Sequence, residues 1–186
     1  MELKLIEEQQ FVKEKEFEIA QYELCEFKGC DFSKLSFSEA KFEECTFIDC
    51  DLSLVNLTYT YLQDVHFKNC KMLGLHFDTC NPFLLKVSFD NCNLSSSSFY
   101  RLELKATSFV NCKLNDVDYT EALLEQANFG ACDLLNAKFE QSKLTKADFS
   151  TAINFNINPD ENQLKGAIFS KDNVAALLTK YQLEIK

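Results

Sequence analysis

Large apolar residues recur at every fifth position along most of the chain. The first series runs Phe17, Tyr22, Phe27, Phe32, Phe37, Phe42, Phe47, Leu52, Leu57, Leu62, Phe67, Met72 and Phe77. A second runs from Phe89 through Leu94, Phe99, Leu104 and Phe109 to Phe149, and Leu164 and Phe169 close it. A helix returns to its buried face every 3.6 residues and a strand every two, so neither element accounts for a period of five. Two positions before each large residue stands a smaller one, most often Cys, Ala, Val, Thr or Leu. Residues two apart share one side of an extended segment. Each five-residue unit therefore reads as a short extended piece with two inward side chains, followed by a corner.

A longer period is superimposed. Cys30, Cys50, Cys70, Cys92, Cys112 and Cys132 recur at one constant interval, broken by a single step that is two positions longer. The series Phe27, Phe47, Phe67, Phe89, Phe109, Phe129, Phe149 and Phe169 makes the same steps. Positions four units apart match in this way when they stack, so four five-residue sides form one coil and about eight coils form a solenoid. At a strand-like spacing of about 4.8 Å the rod is roughly 38 Å long. The longer step places a two-residue insertion near residues 81–86, where Pro82 and Phe83 form a stiff apolar bump.

Stretches such as CDFSKLSF, CDLLNAKF and ADFSTA resemble the A(D/N)LXX unit of pentapeptide-repeat proteins, and the resemblance covers Phe17 to Phe169. It implies an all-β fold, a right-handed quadrilateral β-helix. The organisation predicted is an N-terminal cap over 1–14, the β-helix over 15–169, and a C-terminal helix and edge strand over 170–186. Leu3, Leu5, Phe11 and Val12 are candidates for the N-terminal cap. At the other end Ser170 suits an N-cap, with Asp172 in the first turn and Lys180 in the last. Val174, Leu177, Leu178 and Tyr181 make one apolar stripe on a short α-helix. Leu183 and Ile185 alternate with polar residues as an edge strand does. The stripe suits either a cover for the last coil or a contact with a second copy of the chain. Similarity to the Qnr and MfpA subgroup implies a homodimer through this end.

Composition narrows the function. The chain has 186 residues, nine Cys, 18 Phe and a formal charge of −10. That charge argues against direct nucleic-acid binding and against docking on an anionic membrane. No apolar run is long enough to span a bilayer, and the start, MELKLIEEQQ, lacks the layout of a secretion signal. A soluble, cytoplasmic protein is expected. Residues 1–64 carry 15 acidic and six basic residues, a net of −9, whereas residues 65–186 carry a net of −1.

Cysteine spacing follows the repeat and contains no CxxC pair, and His66 and His76 fall where side chains face solvent, so no metal site is expected. The thiols read as small buried hydrophobes. There is no phosphate loop, HExxH or GxSxG, and every rung fills the interior, so neither an enzyme nor a cofactor is expected. The sides centred on Phe17, Phe37 and Phe77 gather the candidate partner-binding carboxylates: Glu16, Glu18, Glu39, Asp78, Asp118, Glu121 and Glu140. An acidic rod can occupy a basic DNA-binding surface by charge complementarity. The subgroup resemblance implies DNA gyrase or topoisomerase IV as partner and an effect on fluoroquinolone sensitivity. The alternative is a scaffold that docks an unrelated protein on its acidic N-terminal coils.

Overall fold

The computed structural model describes residues 3–184 and shows an all-β solenoid. Its strands are short: β1 (Leu5–Glu7), β2 (Gln10–Val12), β3 (Gln21–Glu23), β4 (Glu26–Lys28), β5 (Lys41–Glu43), β6 (Thr46–Ile48), β7 (Tyr61–Gln63), β8 (Val65–Lys68), β9 (Val87–Asp90) and β10 (Ser108–Val110). All pairings are parallel, in one sheet of order β1-β3-β5-β7 and another of order β10-β9-β8-β6-β4-β2. Four ladders, each offset by one five-residue side, run along the rod: Lys41 on Tyr61, Thr46 on His66, Asp51 on Lys71 and Ser36 on Asn56. The second continues from Gln10 through Glu26, Thr46, His66, Ser88, Ser108, Asn128 and Asp148 to Ile168. Beyond β10 the rungs shrink to single bridges, but the spacing between coils persists.

The corners explain the period of five. Along most of the rod every fifth residue adopts a left-handed conformation, as at Arg101 (φ 59), Ala106 (φ 56), Asn111 (φ 54), Asp116 (φ 57) and Glu121 (φ 58). A left-handed residue other than glycine costs about 1–2 kcal/mol. The coil holds these conformations because each one turns two apolar side chains inward and aligns the amides with the next rung. Gly74 (φ 63) relieves the strain at one corner, and a Cβ there would also come within 2.9 Å of Leu54 Cδ2.

Aromatic stacks fill the interior. Phe27, Phe47, Phe67, Phe89, Phe109, Phe129, Phe149 and Phe169 stack as the spacing predicts, with Phe89–Phe109 at 5.2 Å and Phe109–Phe129 at 5.1 Å between ring centres. The stack also extends to Phe11, 4.8 Å from Phe27. A second stack of Phe77, Phe99, Tyr119 and Phe139 meets the first edge to face, as in Phe99–Phe109 at 84°. That is the favoured geometry for ring quadrupoles. Between the stacks' ends, where Leu52, Leu57, Leu62 and Met72 replace rings, a void of only about 10 Å³ remains.

All nine thiols are free and buried. Most of them also hydrogen bond. At turn-type corners the central carbonyl accepts from the amide three residues on, as Phe37 O does from Ala40 N at 2.9 Å. At strand-type corners a thiol one coil further on donates instead: Cys45 to Tyr22 O, Cys50 to Phe27 O, Cys70 to Phe47 O, Cys92 to Phe67 O and Cys132 to Phe109 O, at 3.2–3.4 Å. Thr60, Ser97 and Ser142 donate from the same inward position to Phe37 O, Met72 O and Tyr119 O. The cysteines therefore satisfy buried acceptors as well as filling volume.

Both ends depart from expectation. Residues 3–14 are no separate cap: β1 and β2 are already rungs, paired with β3 and β4. At the C-terminus the expected α-helix is instead a 3₁₀-helix, Val174–Tyr181. Three residues per turn break the i, i+3, i+4, i+7 stripe. Leu177 and Ala176 pack against the core, while Val174, Leu178 and Tyr181 are exposed. Ser170 is not the N-cap, which is Asn173; Ser170 Oγ accepts from the Asn173 amide, ahead of the helix. The Asn173 side chain crosses the top of the rod and donates to Phe149 O, Ser150 O and Ala152 O. Leu183 forms no strand, because left-handed Gln182 (φ 50) turns the chain away; Ile185 lies outside the described residues.

Candidate protein-binding surface

A filled interior leaves the exterior as the place for function. The seven carboxylates singled out by the sequence fall into four groups. Glu16 and Glu18 sit at the N-terminal end, where Glu18 pairs with Lys4 at 3.0 Å. Glu39 occupies a left-handed corner (φ 66), and its column continues through Tyr59, Arg101 and Glu121. Asp78, in the 3₁₀ turn Phe77–Thr79, lies 3.4 Å from His76 Nδ1.

Asp118, Glu121 and Glu140 form the fourth group. Asp118 bridges between Ser98 and Lys138 and accepts from the Thr120 amide at 2.9 Å. The Glu121 amide donates to Glu140 O at 2.7 Å, placing the two residues on adjacent coils. Arg101 grips Glu121 with two hydrogen bonds, of 2.8 and 3.0 Å, and Tyr100 adds a third. These hold the Glu121 carboxyl below its ordinary range, chiefly through the Arg101 hydrogen bond. Glu140 faces a hollow of about 540 Å³ beside Asn154, Asn158 and Lys180. The side is thus acidic but interrupted: basic neighbours already engage Glu18 and Glu121, and Lys138 neighbours Asp118.

Residues 81–86 bulge from the ladder on which β7 ends its sheet. The Asn81 side chain accepts from the Phe83 amide at 2.9 Å, and the turn thrusts Phe83 outward, 68% exposed. Leu84 (φ 55) is exposed beside it, while Leu85 packs on the core. Tyr59, 64% exposed, stands one coil earlier. Both histidines point to solvent, and among the described residues no group of three His, Cys, Asp or Glu is placed to hold a metal ion. No described helix is long and apolar enough to cross a membrane.

The thiols are shut off from solvent. Burial pushes the Cys45 thiol up to about 12, and it raises Cys80 as well. Within the main ladder, the neighbouring thiols perturb one another, which raises Cys70, Cys92 and Cys112 and lowers Cys50 and Cys132.

The profile of the pentapeptide repeat region matches residues 20–82 and 84–155, more than half of the chain, and its break at 83 falls on the insertion. The chain belongs to the pentapeptide-repeat family. Two structures of QnrB1, a plasmid-mediated fluoroquinolone resistance protein, superpose on this pentapeptide-repeat chain with a TM-score of 0.65 at 15% identity. One alignment covers 99% of this chain and 98% of that one, and the other covers both entirely, at 100% each. HetL, a pentapeptide-repeat protein involved in heterocyst differentiation regulation in the cyanobacterium Nostoc, aligns at 18% identity and a TM-score of 0.45 over 89% of this chain and 83% of its own. No curated protein sequence matches the chain.

Sequence reasoning missed Ile6, Phe155 and Ile157 and assigned Phe11 to a cap rather than a rung. Ile6 and Phe11 form the first rung but stand closer in sequence to their partners Tyr22 and Phe27 than any later rung does to its own. Phe155 and Ile157 fill the core where the period falls on Asn154 and Pro159. Their spacing of two was the available signal.

Proposed function

We propose that the chain is a non-enzymatic protein-binding rod of the cytoplasm that presents carboxylates to a basic surface normally occupied by DNA. The observation that carries this reading is the division of the molecule into an aromatic interior and a charged exterior with a net charge of −10. DNA gyrase or topoisomerase IV is the first partner to test, because the QnrB1 structures that share the fold come from a fluoroquinolone resistance protein. In this reading the rod is a right-handed four-sided helix of about eight coils. Asp118, Glu121 and Glu140 form its acidic centre, and the exposed Val174, Leu178 and Tyr181 join two copies end to end, doubling the length of charged surface. Phe83 and Pro82 would lie beside that surface as an apolar anchor.

The test is gyrase supercoiling with the purified chain titrated in, with and without a fluoroquinolone. Inhibition, or rescue from the drug, is the expected result. No effect from a folded sample removes the topoisomerase. A second reading draws on the uneven charge, with a net of −9 confined to residues 1–64: a scaffold whose N-terminal coils dock an unrelated basic partner.

A further inference from the structure

The first coil is unlike those that follow. Leu5 pairs with Gln21 and Gln10 with Glu26, whereas the next pairs on the same ladders are Gln21 with Lys41 and Glu26 with Thr46. The first step on each ladder is therefore four positions shorter than the second, and the segment 13–20 crosses two sides of the rod with that much less chain. Ile6 underlies Tyr22, Phe11 underlies Phe27 and Phe17 packs against Phe37, while Phe32 meets Phe17 only edge to face, at 5.7 Å between ring centres. The shortfall leaves a hollow of about 400 Å³, lined by Phe11, Phe17 and Tyr22 and rimmed by Glu14, Glu16 and Glu18.

Two features of this hollow select its occupant. Phe11 and Phe17 are half-buried; Phe11 terminates its stack on Phe27 at 4.8 Å, and Phe17 lies tilted on Phe37 at 4.1 Å between ring centres. The face of an aromatic ring carries negative potential, so a terminal ring attracts a cation. The rim adds formal charge of the same sign. Lys13 and Lys15 alternate with Glu14 and Glu16 along the chain, yet the glutamates, not the lysines, line the hollow. Lys4 engages Glu18, which leaves Glu14 and Glu16 for a partner. Flanking the hollow, β1 and β2 are the outermost strands of their sheets, and an outermost strand offers main-chain groups to an added strand.

From these we infer that the N-terminal end docks an extended basic segment of a partner protein, which lies along β1 and seats an arginine or lysine side chain in the hollow, against Phe11 and Phe17 and between Glu14 and Glu16. The inference rests on the second reading above and gives it a site and a chemistry. A free organic cation lacks the main-chain contacts along β1, and an acidic segment would be repelled by the rim.

The experiment uses the full chain and a capped, fluorescent peptide, Val-Arg-Val-Arg-Val, followed by anisotropy at low and raised salt. Saturable binding that weakens with salt is expected. The double variant Glu14→Gln, Glu16→Gln, at two exposed positions, should weaken it by roughly tenfold, whereas Glu161→Gln with Asp172→Asn, two exposed positions at the far end, should leave it unchanged. Phe17→Ala, checked for a folded state by circular dichroism, should weaken it as well. The inference is overturned by the absence of binding, by equal losses from the two double variants, or by a capped single arginine that binds as tightly as the peptide. Peptide binding gained only on removal of residues 1–2 would also overturn it, by assigning the hollow to the chain's own terminus. Gyrase supercoiling is read independently, so either reading can fail alone.

Discussion

At Cys70 a single atom separates a volume-filling residue from one that completes a hydrogen bond. Its thiol donates to Phe47 O at 3.4 Å, an acceptor that no amide within its own turn reaches. Cys70→Ala should therefore cost about 0.5–1.5 kcal/mol, since it removes that hydrogen bond. Cys70→Ser should recover part of the loss, because Thr60, Ser97 and Ser142 make the same bond elsewhere in the stack. Urea denaturation of the three proteins measures the difference. The burial of neutral thiols also sets a pH dependence. Cys45 is raised by burial from an ordinary value of 9.0 to about 12. Below pH 9 both states keep the proton and the contribution is fully present. Above it the unfolded chain ionises first, so stability falls with rising pH, by about 1.4 kcal/mol per pH unit for this group until the folded thiol ionises too. Denaturation at about pH 8 and about pH 10 should show the decline, and Cys45→Ala should reduce it. The sequence showed these cysteines to be structural through their coil-to-coil ladder, but not that they donate hydrogen bonds. That depends on where the carbonyls of the preceding coil point, which the period of five does not show.

At the scale of the five-residue unit, the left-handed corner is the costly part and the stacked centre the stabilising part. Ala106 occupies a corner at φ 56. Ala106→Gly removes the left-handed strain of about 1–2 kcal/mol and adds an unfolded-state entropy term of about 0.5–1 kcal/mol, so a net gain of about 0.5–1 kcal/mol is expected in thermal or chemical unfolding. Phe109 tests the centre. Fully buried between Phe89 and Phe129, it should cost roughly 3–5 kcal/mol when replaced by alanine, and a near-neutral result would remove it from the stack. The inward register was legible because two buried side chains per unit leave a simple pattern. The first rung was not, because Ile6 and Phe11 keep the spacing of five yet pair with Tyr22 and Phe27 across a shortened coil. The C-terminal stripe misled in another way: Val174, Leu177, Leu178 and Tyr181 fit an α-helix in sequence, but only Leu177 of the four packs against the core of the last coil. The Asn173 side chain, which spans three carbonyls of that coil, carries no sequence signature of its role.

For the whole molecule, interior and exterior divide the work. The interior is periodic, aromatic and closed, and almost all of it could be read from spacing. The proposed function rests on the exterior, and spacing says little about it. Glu39 and Glu121 share a column, but Tyr59 and Arg101 stand between them, and Arg101 already holds Glu121. Whether such an interrupted acidic side can replace duplex DNA is a question of summed field rather than of any one contact. The most direct test of the proposed function is competition: the chain titrated against gyrase bound to a labelled linear duplex, at two salt concentrations. The account predicts displacement of the duplex that weakens as salt rises, and weaker displacement by Glu121→Gln with Glu140→Gln. Duplex that stays bound at every concentration of folded chain would contradict it.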